Sequence, residues 1–571
     1  MSLLDKYRNK AIGFFDGKDK RNNVVSLIER HVQEKPDTLA FMWPDPANIP
    51  AFGDKIEDHI SHQSLSFRNF QGLIQRTAQG LLNTGIKPGD RVILFVPMSV
   101  PLYQTMAALQ MIGASAVFLD SWARRDQLGV SARIVDARAF ITVEKAFEFC
   151  AGESELAKIP IRIVVGPHQN KFDYHGDLAR LQMCDPMTEP VAVNGDDTAL
   201  ITFTTGSSGT PKGANRTHEF LAAQHYALNK CIPYARADID LPAFPMFSLN
   251  NLAAGVTTII PITDAARPSE KDAVMVVSQI LSTKVTCATL SISMMTGAGQ
   301  FCAERGITLP LIRRLITGGA AVSPDLVKLT KKMVPNAELL VLYGSTEVEP
   351  IAHIEAAGIL DPKRGLAPQK GVNVGHFTED LEYKFIRISS DTVALKNDDW
   401  EPWELPNGEV GELVVAGLHV CNSYFNDPDA VVRAKIIESS GKVWHRTGDV
   451  GYLDPAGDIW LVGRVHNVIF RDGVPLFPVQ VEFLLKNHPG VKQGAFLGMP
   501  DSRLGEKAYV VVELNETARS QSASLLKEIE TTLKRHSIPF DYLGVVDSIP
   551  MDPRHRSKVE YGILRDLINK K

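Results

Sequence analysis

Short apolar runs alternate with segments of helical spacing through much of the chain. Four runs have the length and composition of buried strands: residues 91–96, 199–204, 314–317 and 339–342. Residues 101–112 and 217–230 instead carry apolar side chains at helical spacing. Because buried strands that alternate with helices are typical of parallel sheets, this pattern predicts an α/β fold of layered sheets flanked by helices.

The pattern changes between residues 398 and 463, where glycines and prolines separate short β-like runs. Such a composition predicts antiparallel β structure. Beyond Val465 there is room for a small α+β domain of about a hundred residues. We therefore expect a large N-terminal domain, residues 1–463, that ends in a β-rich subdomain, and a small mobile C-terminal domain, residues 464–571.

Size and charge narrow the class of protein. A chain of 571 residues is too long to form a single hydrophobic core, so we expect two or more domains. Its net charge of -5 gives no excess of basic residues that would indicate a nucleic-acid partner. The six cysteines form no Cys-x-x-Cys pair, which indicates free thiols in a reducing compartment. The charged N-terminus predicts no signal peptide, and no apolar run reaches the roughly 18 residues of a membrane span. We expect a cytoplasmic protein without a transmembrane segment.

A loop rich in glycine and hydroxyl groups follows the apolar run at residues 199–204. Glycines allow backbone N–H groups to approach an anion, hydroxyls add donors, and a lysine adds positive charge, which together suit a polyphosphate. The residues concerned are Thr204, Thr205, Gly206, Ser207, Ser208, Gly209 and Lys212. The loop is not of the Walker A type, since Pro211 and Gly213 stand where that motif requires glycine and a hydroxyl residue. The structural alternative is a polar turn between a strand and a helix.

Five further motifs follow this loop in order, and together they resemble a known superfamily. They are Gly318-Gly-Ala320, Tyr343-Gly-Ser-Thr-Glu347, Thr447-Gly-Asp449, Gly463-Arg464 and the segment at residues 550–558 that contains Lys558. Over residues 66–561 the chain resembles the adenylate-forming superfamily of acyl-CoA synthetases, nonribosomal-peptide adenylation domains and firefly luciferase. The resemblance implies that the chain activates a carboxylic acid with ATP and Mg²⁺, with release of pyrophosphate.

The resemblance also implies roles for individual residues. The nucleotide would be bound by the loop residues above and by Gly318, Gly319, Ala320, Tyr343, Gly344, Ser345, Asp449 and Arg464. Tyr343 offers a flat ring to adenine, Asp449 a pure acceptor to the ribose hydroxyls, and Glu347 a hard oxygen ligand to Mg²⁺. Thr346, Glu347 and Lys558 would act in catalysis. Taken singly, each residue also fits a turn or a solvated surface position.

Three positions depart from the superfamily pattern, and all three are linked to the second half-reaction, in which the thioester forms. Ser248 stands where many acyl-CoA synthetases carry histidine, His466 occupies the hinge, and Phe470 stands where a lysine is expected. The residues for adenylation are thus kept, while those linked to thioester formation are altered. Phe244, Phe247 and Leu249 are candidates for an apolar acyl site, and a fatty acid is the expected substrate.

Two interpretations of the acceptor of the acyl group follow, and the first is the one expected. The first is coenzyme A as co-substrate, or the thiol of a carrier protein. The second is a β-lactone synthetase, in which the hydroxyl of a 2-alkyl-3-hydroxy acid closes a ring on the same adenylate; the segments at residues 424–449 and 552–558 resemble that branch. Two alternatives from other functional classes are a nucleotide-binding protein without catalytic activity and a P-loop phosphotransferase, which would release ADP.

Overall fold

The structure is a computed structural model that describes residues 17–49, 60–119, 125–205, 211–235, 237–263, 272–364, 370–551 and 559–570. Within these residues the strands form three sheets. No helix in the described ranges is long and apolar enough to cross a membrane.

The first sheet contains seven of the described strands, in the order β7-β6-β5-β3-β4-β8-β9. Neighbouring strands are parallel except for β9, which runs antiparallel to β8. Alternate side chains of β3 pack into different clusters, Val92 and Leu94 into one and Ile93 into the other, because the side chains of a strand point to opposite faces. The strands are β3 (Arg91–Phe95), β4 (Ser115–Phe118), β5 (Ala139–Thr142), β6 (Ile161–Val164), β7 (Gly176–Asp177), β8 (Thr198–Thr205) and β9 (Pro211–Thr217).

The second sheet is larger and changes from parallel to antiparallel along its width. Its described strands follow the order β17-β18-β20-β21-β16-β15-β14-β13-β12-β10-β11-β1-β2, with β19 paired to β20. The first part comprises β1 (Leu39–Pro44), β2 (His62–Ser66), β10 (Ile239–Pro242), β11 (Thr257–Ile259), β12 (Cys287–Thr289), β13 (Arg314–Gly318), β14 (Glu338–Ser345) and β15 (Val348–Glu355). The second part comprises β16 (Val372–Phe377), β17 (Glu382–Ile386), β18 (Gly411–Ala416), β19 (Lys435–Ile437), β20 (Val443–Leu453) and β21 (Ile459–Arg464).

The third sheet lies wholly in the last part of the chain. It comprises β22 (Ile469–Arg471), β23 (Val474–Leu476), β24 (Val491–Asp501), β25 (Gly505–Leu514) and β26 (Tyr542–Val545). Side chains of this sheet pack with those of two helices in a core that includes Val481, Leu485, Ile529 and Leu533. This is the α+β arrangement expected for the end of the chain. The division of the chain at residues 463–464 remains a prediction.

Helices cover the sheets and share their cores. In chain order they are α1 (Ser26–Glu34), α2 (Phe67–Asn83), α3 (Val100–Met111), α4 (Arg125–Val135), α5 (Glu144–Cys150), α6 (Ser154–Ala157), α7 (Leu178–Leu181), α8 (His218–Cys231) and α9 (Pro245–Ala254). They continue with α10 (Ala273–Thr283), α11 (Ile292–Arg305), α12 (Pro324–Met333), α13 (Ala356–Leu360), α14 (Pro428–Ala434), α15 (Pro478–Lys486), α16 (Ser522–Arg535) and α17 (Tyr561–Asn569). The predicted α/β class with layered sheets is confirmed.

One predicted strand is longer in the structure. The run at residues 339–342 is part of a longer strand, since β14 continues to Ser345 and pairs with β15 in a hairpin. Between β8, which ends at Thr205, and α8, which begins at His218, the structure has β9, a strand that the sequence pattern did not predict. Both motifs therefore lie at hairpins, where paired strands on either side fix the ends of the loop.

Candidate active site

The β8–β9 hairpin carries the predicted phosphate loop at its tip. Thr204 pairs with Lys212 across the hairpin. The Nζ atom of Lys212 lies 5.8 Å from the ring centroid of Tyr424, within reach of a cation–π interaction. Gly206, Ser207, Ser208, Gly209 and the side chain of Thr205 lie outside the described residues, and their phosphate contacts stay predictions. The hairpin thus brings a lysine next to Tyr424.

A cavity of about 720 Å³ lies between the end of the β13–β14 region and helices α15 and α17. Six of the predicted nucleotide-binding residues line it: Gly319, Ala320, Tyr343, Gly344, Asp449 and Arg464. Gly318 lies just before them, and a Cβ atom there would approach the Leu342 carbonyl oxygen to 2.7 Å, so only glycine allows these strands to pack this closely. The cavity has the volume expected of a small-molecule site.

Asp449 is held in this cavity from two sides. The Tyr343 hydroxyl donates to Oδ2 over 2.7 Å, and Nε of Arg464 lies 2.9 Å from Oδ1. Asp449 and Arg464 are register partners on β20 and β21. Burial, together with the Asp449 charge, raises the pKa of Tyr343 well above its usual value. Each Asp449 oxygen keeps a second lone pair, so the fixed carboxylate can still accept hydrogen bonds from two ribose hydroxyls.

Glu347 belongs to a second cluster, centred on Tyr424. The Tyr424 hydroxyl donates to Oε1 of Glu347 over 2.8 Å. Burial raises the pKa of Glu347, but His445, Lys435 and the Tyr424 hydroxyl lower it, and the balance leaves it below the ordinary value. His445 adds no positive charge near pH 7, because burial and Lys435 lower the pKa of its ring to about 3, while burial also lowers the pKa of Lys435. The lowered pKa of Glu347 favours its ionised form, which is the form that a metal ligand requires.

Lys435 is almost fully buried, 3% exposed, and burial lowers the pKa of its ammonium group. Its ammonium group donates to the Cys421 carbonyl oxygen and lies 3.1 Å from Nδ1 of His445. It also lies 5.3 Å from the ring centroid of Tyr424. Because a buried charge is costly without partners, these contacts explain how Lys435 is tolerated next to the Glu347 cluster.

The hairpin turn between β14 and β15 contains Thr346. Its carbonyl oxygen accepts a hydrogen bond of 2.7 Å from Nη2 of Arg216, a side chain that is 2% exposed. Ser345 accepts from the Glu347 N–H over 3.3 Å. Arg216 on β9 thus ties the phosphate-loop hairpin to the hairpin that carries Thr346 and Glu347. This link sets the distance between two of the predicted motifs.

The remaining predicted residues are placed as follows. Lys558 lies outside the described residues, although the flanking Met551 and Val559 form a β-bridge that fixes both ends of its segment. Ser248 is fully buried in α9, whereas Phe470 is 41% exposed on β22. Phe247 and Leu249 line a small cavity beside α8, and Phe244 packs against Phe247 with ring centroids 6.2 Å apart.

The surroundings of Glu347 are consistent with its predicted role as a ligand of Mg²⁺. Mg²⁺ in nucleotide sites takes one or two protein carboxylates and completes its shell with phosphate and water oxygens. In the described ranges, no group of three or more His, Cys, Asp or Glu side chains could hold a metal on its own. Glu347, a partly buried carboxylate whose lowered pKa favours ionisation, is a suitable single ligand for such an ion.

Four further residues shape the site although no sequence motif marks their roles: Arg216, Tyr424, Lys435 and Glu482. Tyr424 and Lys435 meet Glu347 only through the fold of the second sheet. Glu482 of α15 lines the nucleotide cavity from the C-terminal side. A charged residue that becomes buried has the same local sequence pattern as one on the surface, so no spacing or motif identifies these residues in advance.

The sequence of this chain is similar to those of known proteins over most of its length. The model of the family described as AMP-binding enzyme matches residues 28–425. An olefin beta-lactone synthetase of Stenotrophomonas maltophilia is 30% identical over 94% of this chain and 96% of its own length. A 4-coumarate–CoA ligase of Humulus lupulus is 24% identical over 89% of this chain and 90% of its own.

Solved structures agree with the fold. An amide bond synthetase from Marinactinospora thermotolerans matches with a TM-score of 0.73 and 21% identity, over 95% of this chain and 99% of that chain. A fatty acyl CoA synthetase of Mycobacterium tuberculosis matches with a TM-score of 0.69 and 22% identity, over 97% of this chain and 99% of that chain. The family match covers more than half of the residues, and it includes the hairpins that hold Lys212 and Glu347. The chain belongs to the AMP-binding enzyme family and is an adenylate-forming ligase.

Proposed function

We propose that this enzyme activates a 2-alkyl-3-hydroxy acid as its acyl-adenylate and then closes it to a β-lactone. The adenylation half rests on one observation above the others, the carboxylate of Asp449 held by Tyr343 and Arg464 at the wall of the nucleotide cavity. The ring-closing half rests on the full-length similarity to olefin beta-lactone synthetases and on the altered acceptor positions.

In the first step the substrate carboxylate oxygen attacks the α-phosphorus of ATP, and pyrophosphate leaves. Asp449 accepts the ribose hydroxyls, while Lys212 and the Thr346 region face the phosphates. Glu347, together with phosphate oxygens, would hold Mg²⁺, which neutralises charge on the phosphates. Lys558 would bridge the carboxylate and the α-phosphate from the C-terminal segment. This chain supplies position and charge, which are the main requirements of in-line displacement at phosphorus.

In the second step the 3-hydroxyl oxygen attacks the acyl carbon, its proton is released, and AMP leaves with the electrons of the broken acyl–phosphate bond. No thiol is needed. Ser248 is buried and offers no imidazole, and Phe470 offers no cation, at two positions where related thiol-using enzymes carry histidine and lysine. An intramolecular acceptor fits these two substitutions better than coenzyme A does.

The test measures pyrophosphate exchange with a panel of acids, followed by mass spectrometry of the products. We expect exchange with 2-alkyl-3-hydroxy acids and, without coenzyme A, a product lighter than the acid by one water. A product that requires coenzyme A and carries its mass would instead establish the second candidate, an acyl-CoA synthetase. Absence of exchange with every acid would refute acid adenylation altogether.

A further inference from the structure

A small cavity lies beside the nucleotide cavity, between helices α1, α8 and α9. Its walls are largely apolar and include Ile28, Leu228 and Phe247. The cavity measures about 60 Å³, which is room for a few non-hydrogen atoms. Any group that enters it must therefore touch the polar side chains that also line it.

Two of these polar side chains form a hydrogen-bonded pair. Nδ1 of His225 on α8 lies 2.8 Å from Oδ1 of Asn250 on α9. Because an amide oxygen only accepts, Nδ1 carries the hydrogen, and Nε2 is left as an acceptor. Burial lowers the pKa of His225, so that the ring is neutral near neutral pH.

The amide nitrogen of Asn250 completes the arrangement. Asn250 is 4% exposed, and its Nδ2 has no hydrogen-bond partner within the described part of the chain. A buried N–H group without a partner costs free energy. Asn250 and His225, which both line the cavity, carry one donor and one acceptor without a partner in the described part of the chain, the pattern that complements a single hydroxyl group.

Glu349 connects this cavity to the site of adenylate formation. Its side chain lines the small cavity. Its Cβ atom lies 3.4 Å from the position that a Cβ atom on Gly344 would occupy, and Gly344 lines the nucleotide cavity. The two cavities are therefore separated here by about one layer of residues.

We propose that Asn250 and His225 recognise a hydroxyl group on the acid substrate and so determine the specificity of this enzyme for hydroxy acids. The proposal rests on the acid adenylation given under the proposed function, and it adds the residues that select the acid. Asn250 donates to the hydroxyl oxygen, and Nε2 of His225 accepts the hydroxyl hydrogen. An acid without the hydroxyl leaves both groups unpaired and is bound more weakly.

The test compares kcat/KM for pyrophosphate exchange with two acids of equal chain length, one with and one without a 3-hydroxyl. We expect wild type to prefer the hydroxy acid by about 10- to 100-fold. Asn250→Leu, which keeps side-chain volume, should reduce this preference to within a few-fold by slowing only the hydroxy acid. His225→Phe should act in the same direction. Asn83→Leu, at the exposed end of α2, serves as the control and should keep the wild-type preference.

Three outcomes separate the possibilities. Equal losses for both acids in Asn250→Leu, or no preference in wild type, would overturn hydroxyl recognition. A thermal melt of each variant shows whether an equal loss reflects unfolding, and in that case the pair of acids on His225→Phe decides. If wild type prefers the hydroxy acid through Asn250 but forms only a thioester, the recognition site stands and the lactone proposal fails.

Discussion

At the scale of single residues, the proposed function depends on the carboxylate of Asp449, whose two oxygens have different protein partners. In Asp449 each oxygen is fixed by one protein donor, Tyr343 on Oδ2 and Arg464 on Oδ1. In the proposed ribose site, this pairing removes rotational freedom before the ligand binds, so less entropy is lost on binding. The orientation comes from the β20–β21 register, which places Arg464 opposite Asp449.

Asp449→Asn tests this arrangement. The amide keeps the shape but turns one acceptor into a donor that meets Arg464 or Tyr343 unfavourably. We expect kcat/KM for ATP in pyrophosphate exchange to fall by about 100-fold, which corresponds to about 3 kcal/mol. Asp429→Asn, on the exposed first turn of α14, should behave as wild type. An unchanged kcat/KM for ATP in Asp449→Asn would remove Asp449 from the ribose site.

Glu347→Gln tests the second residue-scale assignment, the metal ligand. A neutral amide binds Mg²⁺ more weakly than an ionised carboxylate does, because hard cations prefer anionic oxygen ligands. We expect the Mg²⁺ concentration for half-maximal exchange to rise by about tenfold or more, with a smaller change in the KM of the acid. Glu401→Gln, which is exposed, is the matched control. An equal Mg²⁺ requirement in Glu347→Gln and wild type would contradict the assignment.

At the scale of elements, local patterns account for the strands and helices but not for how the hairpins meet. The runs at 91–96 and 314–317 became β3 and β13 because buried strands carry continuous apolar residues. The continuation of β14 to Ser345 was missed, since Tyr343-Gly-Ser has no strand pattern and pairs only because β15 returns beside it.

The candidate site shows the same limit. The motif residues Tyr343, Asp449 and Arg464 were identified from sequence and do come together. Arg216 and Lys435 were not, because burial of a cation is decided by partners that lie far away in the chain: Thr346 for Arg216, and the Cys421 carbonyl for Lys435. Long-range partners of this kind leave no trace in local spacing.

A third prediction concerns the contact between α15 and α17. The Glu482 carboxylate accepts hydrogen bonds from the Tyr561 hydroxyl and, over 3.1 Å, from the Phe496 N–H. Burial raises the pKa of Glu482 to about 7. A carboxyl group whose pKa is raised by folding stabilises the fold fully below its unfolded pKa, and this contribution is lost as pH rises through the folded value.

The pH dependence of unfolding checks this assignment. Between about pH 5 and pH 8, wild type should lose about 3 kcal/mol of unfolding free energy relative to Glu482→Gln, which cannot ionise. Chemical denaturation at several pH values, with the C-terminal transition followed, gives this difference. Glu516→Gln, at an exposed position, should run parallel to wild type. Parallel curves for Glu482→Gln and wild type would show that Glu482 titrates normally.

At the scale of the whole molecule, the nucleotide cavity is built by two parts of the chain. Tyr343 and Asp449 line it from the second sheet, while Glu482 and Tyr561 line it from helices that pack on the third sheet. We propose that the C-terminal part moves and so opens or closes this shared cavity. Such movement would exclude water while the adenylate forms and would then change the groups presented to the adenylate.

The C-terminal segment with Lys558 gives the last prediction. The residues that flank it, Met551 and Val559, form a β-bridge, and Tyr561, which follows shortly after, lines the cavity. If Lys558 bridges the carboxylate and the α-phosphate, Lys558→Ala should slow acyl-adenylate formation by about 100-fold or more, since a charge placed at the reacting phosphate acts mainly in the transition state.

The second half-reaction separates this role from a general effect on folding. When a chemically prepared acyl-adenylate is supplied, Lys558→Ala should form product at a rate within a few-fold of wild type, because the attack on the α-phosphorus is then already complete. Lys527→Ala, on the exposed face of α16, should retain both half-reactions. Equal slowing of both steps would indicate that Lys558 acts on the position of the whole C-terminal part rather than on the α-phosphate.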